Sequence, residues 1–112
     1  MNNVLFTLRS SLKQLMPFPA QLQSLKAKMS AKAIKEPLHK QYAIEIGKMM
    51  AALNSWIFDA GDLCAVAEAI SPETDDKILN EKQKELLAKS VEGEHHMFGT
   101  RAAVKRFQSI VN

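Results

Sequence analysis

Glu92, Glu94, His95 and His96 are where ligand-type side chains crowd together in this sequence. Glu92 and His95 stand three residues apart, the spacing at which one helix face offers a carboxylate and an imidazole to a metal ion in carboxylate-bundle sites. Such a site needs a second motif of that kind and carboxylates from other helices. Here there is one motif, with Gly93 inside it. Asp59 and Asp62 could supply oxygens, but nothing in the sequence brings them near. The expectation is a solvated polar segment with two titrating histidines and no metal or other cofactor. His39, next to Lys40, reads as a surface residue.

Other chemistries have less to stand on. Cys64 falls on the apolar stripe of a helix, where burial raises a thiol pKa and leaves it inert. There is no G-x-S-x-G, P-loop or G-x-G-x-x-G pattern, and Gly47, Gly61, Gly93 and Gly99 are too scattered to cradle a phosphate. The expectation is a protein that is not an enzyme. Ala43 and Gly47 have the spacing of a helix-turn-helix start. The segment that follows, KMMAALNSWIF, offers Met, Leu, Trp and Phe where base readout needs Arg, Lys, Asn or Gln. Lys26, Lys28, Lys32 and Lys35 could still meet phosphates without sequence preference. They lack the interleaved aromatics of a single-strand binder.

Apolar contact chemistry is better represented. Met49, Met50, Leu53, Trp56, Ile57 and Phe58 cluster in ten residues, and methionine suits adaptable partner surfaces as well as irregular cores. Trp56 and Phe58 lie about 200° apart around a helix at ~100° per residue. One is therefore expected to face the chain's own core and the other a second chain.

The elements that carry these residues are all read as helices. Val4, Leu5, Leu8, Leu12, Leu15 and Met16 share one face of a first helix, stopped by Pro17 and Pro19. A second, from about 19 to 35, pairs a thin stripe (Leu22, Leu25, Met29, Ala33, Ile34) with its lysines and closes at Pro37. A third, about 38–70, is apolar nearly all round from Met49 to Val66. It is expected to be buried on several faces and to form the axis of the fold, with Gly61 a place for a kink or break. Ser71-Pro72-Glu73 has the form of a helix start: Ser as cap, Pro in the first turn, acids behind it. Residues 93–99 read as a loop or as the frayed start of a last helix over 101–111, whose face Ala103, Val104, Phe107, Ile110 and Val111 should bury Phe107. No segment alternates with period two long enough to be a strand.

The composition agrees with one all-α domain over residues 1–112, a bundle of four to five helices around a central apolar helix. The chain is 46% hydrophobic and 24% charged, which is ordinary globular usage. Its single cysteine excludes an internal disulfide, and a reducing cytoplasm is the expected address. Residues 1–16 make a poor secretory signal, and Glu45, Lys48, Asp59, Asp62 and Glu68 interrupt the longest apolar region, so no membrane span is expected. Charge is laid out in blocks. Residues 1–48 carry eight Lys/Arg against two acids (+6), 49–100 four against ten (−6), and 101–112 add +3. The function these features favour is a cytoplasmic helical interaction protein: a regulator, adaptor or chaperone-like subunit that binds another protein through the third helix and forms a homodimer. The competing expectation is a non-specific nucleic-acid binder using the Lys-rich second helix.

Overall fold

The computed structural model describes residues 2–71 and 73–112. All regular structure among them is helical, 87% of the described residues. The described residues form four helices: α1 (Asn2–Leu15), α2 (Phe18–Lys32), α3 (Leu38–Glu68) and α4 (Asp76–Val111).

Proline sets the first two boundaries. Pro17 has no N–H to donate, and inside a helix its ring would clash with the carbonyl four residues back, so α1 ends at Leu15. Pro19 sits in the first turn of α2, where the missing donor costs nothing. Pro37 stands at the N-cap of α3. The start of α4 differs from expectation. Its cap is Asp75, whose carboxylate accepts from Lys77 N–H at 3.0 Å. Ser71 instead closes a turn, its hydroxyl accepting from Glu73 N–H at 3.2 Å. Pro72, the expected first-turn residue, lies outside the described residues.

The helices form three rods. α3 and α4 run antiparallel: Tyr42 meets Phe107 at one level (ring centroids 6.0 Å apart), and the Trp56 indole N–H donates to Lys89 C=O at 3.1 Å at another. The short 33–37 connection folds α2 back along the first half of α3, where the Lys26 ammonium lies over Gly47. The molecule measures 62 × 17 × 16 Å, a cross-section that holds three helices side by side. So α1 and α2 lie end to end as one broken rod. α2 covers the half built from the start of α3 and the end of α4, and α1 covers the other half. In such a bundle no helix is enclosed, which corrects the expected central role of α3. One side of α3 buries Ile46, Leu53, Trp56, Ala60, Cys64 and Ala67, while Ile44, Phe58 and Val66 on its outer side meet solvent. Gly61 does not break it.

The expected loop at 93–99 is also helix, in the middle of the unbroken 36-residue α4. Its reason is packing. A Cβ on Gly93 would stand 2.5 Å from Trp56 Cζ2, so glycine here is the residue that lets the indole lie against the α4 backbone. Gly99 has open space where its Cβ would be. Phe107 is fully buried as expected.

Candidate interaction surface

Sequence reasoning offered six partner-contact residues on α3, and the fold divides them. Leu53 and Trp56 are buried in the chain's own core, which removes them from any surface. Met49, Met50 and Ile57 are half-buried and pack against that core. Phe58 alone of the six is exposed, at 74% against 3% for Trp56. The 200° between them has turned one ring inward and the other out.

Phe58 has company on the outer face. Ile44, Ala51, Phe58 and Ala65 repeat every seven residues, which keeps them on one side of a helix. All four are exposed, as are Lys48, Ser55, Asp62 and Val66 beside them. The seven-residue spacing was in the sequence, but two alanines gave it too little apolar weight to stand out. A second apolar line was missed. On α4, Leu87, Val91, Phe98 and Ala102 follow at spacings of 4, 7 and 4, all exposed, with Phe98 at 78%. Phe6 on α1 is 70% exposed. Val4 and Thr7 of α1 face Leu87, Ser90 and Val91 of α4 across a shallow groove of about 240 Å³.

The ligand-type residues are placed as follows. Glu92 pairs with Lys89 at 3.1 Å, the His96 ring packs 5.9 Å from that of Trp56, and His95 is exposed. Asp59 and Asp62, which the sequence did not bring near, line one groove with Glu85 and Glu92, but Lys82 and Lys89 in that groove pair with the two glutamates. Among the described residues no three His, Cys, Asp or Glu side chains converge as metal ligands do. His39 is buried, against expectation: its Nδ1 lies 3.0 Å from Glu36 Oε2 and its ring meets Tyr42 edge-on. Cys64 is buried, and desolvation pushes its thiol above the usual range, with the Arg9 charge pulling the other way. The helix-turn-helix spacing has no turn behind it, since α3 runs unbroken through Gly47.

Charge takes a form that the blocks in the sequence did not reveal. Breaking the first rod sends the lysines of α2 to one half of the molecule and Arg9 and Lys13 of α1 to the other. The half made by residues 18–53 and 96–112 carries nine Lys/Arg against two acids, a net +7. The half made by residues 2–17 and 54–95 carries six against ten, a net −4. Folding therefore separates the charges along the rod. Within the basic half, Arg106 lies over the Phe107 ring at 4.9 Å and reaches Glu45 at 3.2 Å. Lys26 is half-buried over Gly47, while Lys28, Lys32 and Lys35 are exposed. In the other half Arg9 pairs with Glu68. No described helix is long and apolar enough to cross a membrane.

Compared with family models, with curated proteins and with solved structures, the chain matches none.

Proposed function

We propose that this chain is a small helical interaction protein, a regulator, adaptor or chaperone-like subunit, that binds another protein through apolar side chains held outside its core. One observation carries the reading: Phe6, Phe58 and Phe98, three of five phenylalanines, are each at least 70% exposed. Burying such a ring is worth about 1.5–3 kcal/mol, and none of the three returns that to the fold. Aromatic rings on rigid helices are the groups that anchor protein interfaces. The reading contains no catalytic step, and a reducing compartment suits the lone thiol of Cys64.

Comparative affinity purification from the native host tests it. The intact chain and a Phe6→Asp/Phe98→Asp variant are used as baits. A protein retained by the first and lost with the second supports the reading; identical captures refute it.

The concentration of positive charge in one half favours one further reading, non-specific phosphate binding by Lys28, Lys32 and Lys35 together with Arg101 and Lys105. Titration with a duplex oligonucleotide separates the two. Phosphate contacts weaken steeply with salt, whereas an apolar protein contact hardly responds.

A further inference from the structure

We propose that the outer face of α3 is a self-association surface, on which a second copy of this chain packs antiparallel about a two-fold axis at Ser55. The inference rests on the reading that outward apolar side chains are contact residues, and it assigns the occupant of one of them. Three observations point to a second copy rather than to an unrelated protein.

The first is the register. A two-fold axis at residue 55 pairs positions equidistant from it. Ile44 and Val66 are each eleven residues away, and both are half-exposed apolar side chains on this face. Lys48 and Asp62 are each seven residues away, of opposite charge, exposed, and without an ion-pair partner among the described residues. Phe58, three residues from the axis, falls on the small side chains Ala51, Ala52 and Ser55 of the second copy. A ring thus enters a hole between small residues twice, once on each side of the axis, as a knob enters a hole between paired helices. A two-fold contact needs a patch that is complementary to itself, and this one is.

The second is the position of the axis. Ser55 lies where the +7 half of the molecule meets the −4 half. An antiparallel copy sets each basic half beside the partner's acidic half along the whole rod, and a parallel copy sets like against like. The third is the shape of the face. It lies on one unbroken helix, and a Cβ at Gly61 on its edge would meet open space.

The contact is small. Residues 44–66 span about 33 Å at ~1.5 Å per residue, and a strip ~10 Å wide buries roughly 700 Å² over both copies, below the ~1,200 Å² of standard interfaces. The dimer is accordingly weak and transient, with a strong dependence on salt.

Sedimentation equilibrium of the intact chain from about 10 μM to 1 mM, at low and high salt, tests this over the concentrations at which a weak dimer populates. The expected result is a reversible monomer–dimer equilibrium that weakens as salt rises. Phe58→Asp removes it while leaving the helical circular dichroism unchanged, because that ring is outside the core. Lys48→Asp weakens it about tenfold or more, and Lys48→Asp/Asp62→Lys restores it. On mild oxidation Ser55→Cys forms a disulfide dimer and Ala65→Cys, well off the axis, does not. A monomer at 1 mM in low salt, a dimer indifferent to Phe58→Asp, or a double charge swap no better than the single one overturns the inference. If it fails while the Phe6→Asp/Phe98→Asp bait still loses its captured protein, the function proposed above stands without self-association.

Discussion

Two glycines in one helix, Gly93 and Gly99, should respond to the same substitution with opposite sign. Both lie in the interior of α4, where replacing Gly by Ala gains about 0.8–1 kcal/mol of helix propensity. At Gly99 nothing lies within 4 Å of the added methyl, so Gly99→Ala should keep most of that gain, about 0.5–1 kcal/mol. At Gly93 the methyl would stand 2.5 Å from Trp56 Cζ2 and 2.9 Å from Cη2, well inside contact distance. The indole cannot simply swing away. Its N–H is held by Lys89 C=O at 3.1 Å, and its ring is buried between α3 and α4. Relief requires parting the helices or giving up that hydrogen bond, and overpacking of this kind costs about 1–3 kcal/mol. Gly93→Ala should therefore lose up to about 2 kcal/mol net, which lowers Tm by up to roughly 8 °C at about 4 °C per kcal/mol for a chain of this size. Gly99→Ala should raise Tm by roughly 2–4 °C. Thermal and urea unfolding followed by circular dichroism at dilute concentration read both. A Gly93→Ala variant as stable as Gly99→Ala refutes the claim that the glycine is there for the tryptophan.

Phe107→Ala removes a fully buried ring beneath Tyr42 and Arg106 and should cost about 3–5 kcal/mol in urea unfolding. Asp75→Ala should cost about 1 kcal/mol through loss of the α4 cap, whereas Ser71→Ala should lie within about 0.5 kcal/mol of the parent, reversing the ranking that the sequence implied. Cys64 should react with an aromatic disulfide reagent far more slowly than an unfolded control at pH 8. Its neutral form is favoured in the fold, so stability falls as pH rises past the ordinary thiol range; a rate equal to the control's would contradict that burial.

What could be read from the sequence followed from periodicity and proline. The α1 stripe up to Leu15, the Leu22, Leu25 and Met29 stripe of α2 and the Pro17 boundary are where the residues placed them, because a missing N–H is a local fact, but α2 ends at Lys32, short of Pro37, and Met16 and Ile34 are exposed beyond the helix ends. Reading failed where the reason for a residue lies in another helix. Gly93 looked like a break until Trp56 was seen against it. His39 looked exposed until Tyr42 and Glu36 enclosed it. Trp56 and Phe58 were known to face opposite ways, but periodicity on α3 alone does not say which side the other rods take. The charge halves were hidden for the same reason: consecutive helices α1 and α2 are neighbours in sequence and lie in different halves of the molecule.

The break between α1 and α2 also divides the molecule in time. Neither Pro17 nor Pro19 carries an amide hydrogen, so the backbone ladder of the first rod is interrupted there and α1 can come away without unwinding α2. Opening α1 uncovers Leu5, Leu8 and Leu15 and the flank of α3 around Cys64, but leaves the contact of α2 with the first half of α3 in place. Native-state hydrogen exchange should therefore show protection in two tiers. The amides of α1 should exchange through a small, local opening at low denaturant, and those of α2 and the facing half of α3 only through global unfolding.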